Sequence, residues 1–193
     1  MLSYCRKDFS MRETPISDPV KMRLLTNPVR YAIWITTIKL APLTVQQIGA
    51  QICRDPGSLY RHINKLEKAG LIKPHSDIRT KGRKAIAYTT DPNPYLVYDP
   101  DNHETVEAII RVCENAARQA AQESRQAFES GRCRVRSSTR DTFLKADGFW
   151  ANEEELRLIN KKIDELRELL LKRTTPEGRR PIRLTFIMRP APL

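Results

Sequence analysis

Apolar positions fall into blocks of different period along this chain, and the blocks set its architecture. Val45, Ile48 and Ile52 recur at helical spacing, and Leu59, Ile63 and Leu66 repeat the pattern a few residues on. Thr44 with Gln47 three residues later has the spacing of a capping box. Asp55 is a good N-cap, Pro56 sits where a helix best tolerates proline, and Gly70 stands where a helix stops. Two helices follow, over 44–53 and 56–69, joined by a tight turn at Arg54-Asp55. Beyond them, Ile72–Asp77 and Lys84–Thr90 read as the strands of a hairpin spanning 71–90. Upstream, Pro19–Leu25 reads as one short helix. A stronger one starts at Asn27-Pro28 and offers Tyr31, Trp34, Ile35 and Ile38 as a buried floor.

The period lengthens in the second half. Prolines 92, 94 and 100 mark a linker over 91–104. From Thr105 to Ser130, Val106, Ile109/Ile110, Cys113, Ala116/Ala117, Ala120 and Ala127/Phe128 define one long helix. At 1.5 Å per residue it runs about 39 Å, more than a small domain needs. Its stripe packs on its own domain or forms a dimer seam, and the length favours the seam. Asn152 and Glu153-Glu154-Glu155 start a second long helix, with Leu156, Ile159, Ile163, Leu166, Leu169 and Leu170 along one side. Residues 141–146 and 182–188 are expected to pair as two strands. The expected fold is mainly α with a small β component. A loose arm (1–17) precedes a winged helix-turn-helix domain (18–90), the linker, and a helical dimerisation or effector region (105–193).

Charge then separates the halves. Residues 1–90 hold 16 Lys and Arg against 6 Asp and Glu, whereas 91–193 hold 18 against 17. Almost all of the net +11 therefore lies with the helix-turn-helix. With Leu59, Ile63 and Leu66 turned inward, the 56–69 helix presents Ser58, Arg61, Lys65 and Lys68 outward, with Tyr60 near the edge of that face. Arginine can bind guanine or phosphate, and hydroxyls can bind either backbone or base. The hairpin tip carries Arg79, Lys81, Arg83 and Lys84, a concentration of like charge that makes sense against a polyanion. Ser58, Tyr60, Arg61 and Lys65, with the four tip cations, are the expected DNA contacts.

Residues 24–90 resemble the winged-helix domain of ArsR-like bacterial transcriptional regulators. The likeness is carried by Leu24-Leu25-x-Asn27-Pro28-Val29-Arg30-Tyr31-x-Ile33 and Pro42-Leu43-Thr44-Val45-Gln46-Gln47-Ile48. It continues through Ser58-Leu59-Tyr60-Arg61-His62-Ile63-x-Lys65-Leu66-Glu67-Lys68-Ala69-Gly70-Leu71-Ile72 and Gly82-Arg83-Lys84-x-x-x-Tyr88. It covers about a third of the chain. The resemblance implies a homodimeric repressor on a palindromic operator, released by an effector. Many of that family sense metals through paired cysteines or histidines. This chain has only Cys53 in the relevant region and resembles the members without a metal.

The four cysteines, 5, 53, 113 and 133, show no C-x-x-C pairing, so no metal or disulfide framework is expected. Cys53 and Cys113 read as packing residues, and Cys133, between Arg132 and Arg134, as a redox candidate. No catalytic motif, cofactor loop, membrane span or signal segment is recognised, which favours a cytoplasmic, non-enzymatic protein. The expected function is sequence-specific DNA binding by a homodimeric transcriptional regulator, with double-stranded DNA, a second copy and an unidentified small-molecule effector as partners. The alternative is a protein-interaction module on a winged-helix scaffold.

Overall fold

The computed structural model describes residues 14–80, 83–131, 133–136, 138–142, 148–171 and 184–185, of which 76–80, 83, 84 and 171 are described by their backbone. In order, the elements are β1 (Thr14–Ile16), α1 (Pro19–Leu25), α2 (Pro28–Leu40), β2 (Leu43–Thr44), α3 (Val45–Ile52), α4 (Pro56–Lys68), β3 (Lys73–Thr80), β4 (Arg83–Thr89), β5 (Pro94–Leu96), α5 (His103–Glu129) and α6 (Glu153–Leu171). The fold is mainly α with small sheets, and it forms two compact units that divide between residues 119 and 120.

In the first unit the helix starts follow local hydrogen bonding. Asp18 accepts from Val20 N, and Asn27 accepts from Val29 N and Arg30 N. Thr44 and Gln47 close both halves of a capping box, and Asp55 accepts from Ser58 N. Each of these side chains satisfies a backbone donor that a helix start leaves unpaired. α4 buries Leu59, Ile63 and Leu66 completely, against Ile48 of α3 and Ile33 of α2 in one core with Met22, Leu25 and Ile72. After α4 the chain turns at Gly70, at φ +70°, a conformation costly for side chains with a Cβ. It then enters β3, which pairs antiparallel with β4, with a register shift between Pro74 and Ser76. Pro74 has no N–H to give the ladder, and a bulge accommodates that. β2 adds to the far edge of β4, in the order β2-β4-β3. This arrangement of helices and hairpin is a winged helix-turn-helix.

The turn between α3 and α4 is closely packed. Gly49 O accepts from both Cys53 N and Arg54 N, and Cys53 takes a left-handed φ of +53°. A Cβ on Gly49 would stand 2.7 Å from the Arg54 carbonyl oxygen and 3.2 Å from Pro56 Cγ. Cys53 lies outside the helix and is exposed, so it is a turn residue and not the core residue expected.

Two segments depart from the expected arm and linker. Thr14–Ile16 and Pro94–Leu96 pair as a parallel two-stranded sheet, and Ile16 is buried. Strands of three residues carry too little periodicity to be read from sequence. The inward face of α5 also differs from the expected stripe. Thr105, Ala108, Val112 and Asn115 are buried, whereas Ile110 and Cys113 are exposed. The polar members are buried because they are bonded. Thr105 Oγ1 donates to Asp99 O at 2.9 Å, and Asn115 Nδ2 donates to Leu25 O at 3.3 Å and Thr26 O at 2.9 Å.

The second unit contains the remainder of α5 and α6. Asn152 Oδ1 accepts from Glu155 N at 2.9 Å, and the Glu155 carboxylate accepts from Asn152 N at 2.8 Å. The expected pairing of 141–146 with 182–188 lies almost wholly outside the described residues.

Gly49→Ala is expected to lower stability by about 1–3 kcal/mol, since the added methyl meets backbone rather than a flexible side chain. Asn115→Ala is expected to cost a similar ~1–3 kcal/mol by unpairing two helix-end carbonyls. Chemical denaturation monitored by circular dichroism measures both.

Candidate nucleic-acid interface

The outward face of α4 is fixed by its inward one. With Leu59, Ile63 and Leu66 buried, Ser58, Tyr60, Arg61 and Lys65 are all exposed, as the sequence predicts for their side of the helix. Ser58 Oγ donates to Asp55 O at 2.7 Å, so its proton is used within the helix start and its lone pairs remain outward. Asn64 and Lys68 are exposed on the same face. Asn64 carries no charge, so a count of cations passes over it. A helical projection of 57, 61, 64 and 68 places it between the cations. Its amide has the donor and acceptor that adenine presents a complement to.

Two further cations, Arg30 and Arg54, act electrostatically on residues of α4 from other elements. Arg30, in the first turn of α2, donates through Nε to Leu24 O at 2.5 Å. Its guanidinium pKa is lowered by burial first and by the charge of Arg61 second. The His62 imidazole is also held below its ordinary pKa. Burial is the main cause, followed by Arg30, Arg61, Lys65 and Arg54. Its Nδ1 is buried with no hydrogen-bond partner among the described residues. Cations from α2, the α3–α4 turn and α4 thus all disfavour the protonated imidazole. Sequence distance concealed this group, since Arg30 and Arg61 interact only through the packing of α2 on α4.

The hairpin lies beside α4. Tyr88 of β4 is buried, and burial raises its hydroxyl pKa, with smaller contributions from Glu67 and Tyr60 of α4. In the β3–β4 ladder Arg79 stands opposite Lys84, and Thr80 opposite Arg83. Lys81 lies outside the described residues.

Other candidate chemistry is sparse. Among the described residues no three His, Cys, Asp or Glu side chains group so as to hold a metal ion. Cys133 is half-buried, and its neighbour Arg134 is bound to Asp141 through Nε at 3.2 Å. No helix among the described residues is long and apolar enough to cross a membrane.

No protein-family model matches the chain. No curated protein matches it. Among solved structures it is similar to Staphylococcus aureus MarR in complex with salicylate and kanamycin, at 15% identity and a TM-score of 0.27, over 77% of this chain and 82% of that one. At that score the likeness supports nothing about what this chain does.

The depressed His62 pKa sets a pH dependence. The unfolded chain takes up this proton near pH 6.5, and the folded chain only at lower pH, so His62 contributes stability above the unfolded pKa that is lost as pH falls. Denaturation at about pH 7.5 and 5.5 is expected to show a smaller acid loss in His62→Gln than in the unsubstituted chain. Equal losses would contradict this account of His62.

Proposed function

We propose that the chain is a sequence-specific DNA-binding transcriptional regulator. The observation that carries the reading is the outward face of α4, where Ser58, Tyr60, Arg61, Asn64 and Lys65 are all exposed. α4 (within residues 56–69) enters the major groove, and the 71–90 wing follows the adjacent backbone. Arg61 and Asn64 read base edges, Tyr60 and Ser58 bind sugar or phosphate, and Lys65 with Arg30 and Arg54 binds phosphates. Arg79, Lys81, Arg83 and Lys84 neutralise flanking phosphates and release their counterions.

The regulator acts as a homodimer on a palindromic operator, with two copies of α4 about 34 Å apart. Support for the dimer comes from α5. It buries Thr105, Ala108, Val112 and Asn115 toward its own unit and leaves Ile110, Cys113 and Ala117 exposed on another face. The ArsR-like resemblance adds a repressor role in the cytoplasm, relieved by a small-molecule effector.

Selection of bound sequences from random duplex DNA tests the reading. Enrichment of a two-fold symmetric site is expected, with affinity that falls steeply with salt. Replacing Arg79, Lys81, Arg83 and Lys84 with alanine should flatten the log–log salt slope by about 0.9 for each phosphate that is no longer neutralised. Arg61→Ala should cost about 1–3 kcal/mol and relax base preference at one position in each half-site. Tight binding without enrichment would reduce the protein to a nonspecific DNA coat. No binding at low salt would overturn the reading and favour a protein-interaction module.

A further inference from the structure

α6 has an uncovered seam. Leu156, Ile159, Ile163, Leu166 and Leu170 are spaced three, four, three and four residues apart, the a and d positions of a heptad pattern. None of the described α6 side chains is buried: Leu156 and Leu170 are exposed along with the flanking Leu158 and Leu169, and Ile159, Ile163 and Leu166 are half-buried. A soluble helix normally covers such a stripe. Its 19 residues span about 28 Å.

We propose that α6 pairs antiparallel with α6 of a second copy of this chain. The flanking charges choose both partner and direction. With Leu156 at a, the e positions are Glu153, Asn160 and Arg167, and the g positions are Glu155, Lys162 and Leu169. In a parallel pair each Lys162 would face the partner's Arg167, a like-charge contact made twice. In an antiparallel pair Leu156 layers on the partner's Leu166, and Ile159 on the partner's Ile163. Each Glu153 then meets the partner's Arg167, and Asn160 meets the partner's Asn160. The unfavourable contacts are Lys162 against the partner's Lys162, where each lysine keeps Glu165 of its own helix at 2.9 Å, and Glu155 against the partner's Leu169, while Leu170 falls opposite the partner's Asn152. Glu153 pairs with Arg157 at 2.9 Å and Arg167 with Asp164 at 3.4 Å within the helix. Such exposed pairs are worth little and give way readily.

The pairing does not depend on DNA binding, so its test contains no DNA. Sedimentation equilibrium of the full chain gives the dimer dissociation constant, and circular dichroism checks that each variant keeps its helix. Glu153→Arg and Arg167→Glu should each weaken the dimer about tenfold, because two attractive pairs become two repulsive ones of similar size. The double variant should restore it. A tighter dimer in Arg167→Glu would mean a parallel pair and overturn the proposal. A dimer unmoved by all three variants would also overturn it and leave α5 as the interface. A monomer at every concentration would overturn it in favour of the chain's own residues 172–193 as the cover for the seam.

Discussion

The close approach of α3 to the start of α4 at Gly49 is the constraint on which the rest of the interface depends. One carbonyl accepts two amides, and no side chain fits between the helices. That contact fixes the angle at which α4 leaves the turn. The angle decides that Leu59, Ile63 and Leu66 face the core and that Arg61, Asn64 and Lys65 face outward. A looser turn would leave the same residues on the helix but no single direction for them. Cys53 accepts a left-handed backbone at this point, an uncommon conformation for a residue with a Cβ.

Electrostatics follow from the same packing. α2 and α4 share one core, and Arg61 adds to the lowering of the Arg30 pKa, as Arg30 and Arg54 add to that of His62. Like charges gathered in a folded monomer repel, and that repulsion adds to burial in depressing the pKa values of Arg30 and His62. A polyanion reverses the sign of each contribution. The cluster is therefore least favourable in the free protein and becomes favourable against phosphate. Asn115 extends the arrangement to the long helix. It ties α5 to the carbonyls of Leu25 and Thr26, one residue from the Leu24 carbonyl that holds Arg30.

Much of the fold was legible because its signals are local. The capping residues Asn27, Thr44 and Asp55, the terminal Gly70 and the heptad-like spacing in α6 each act within a few positions. The missed features act over long distances. β1 and β5 stabilise one another across about eighty positions, and neither has a pattern alone. Asn115 and Thr105 are polar, so a hydrophobic reading of α5 did not show which residues it buries toward its own unit. Arg30 and Arg54 joined the candidate site only through tertiary packing. Ser58, Tyr60, Arg61 and Lys65 were legible because the buried positions of a helix imply its exposed ones.

Hydroxyl-radical footprinting of the protein, free and with a selected duplex, tests the central claim most directly. The account predicts protection at Tyr60 and the neighbouring α4 and wing side chains, with Phe149 and Trp150 unchanged. Protection confined to α5 or to residues 148–171, with Tyr60 as reactive as in the free protein, would contradict it.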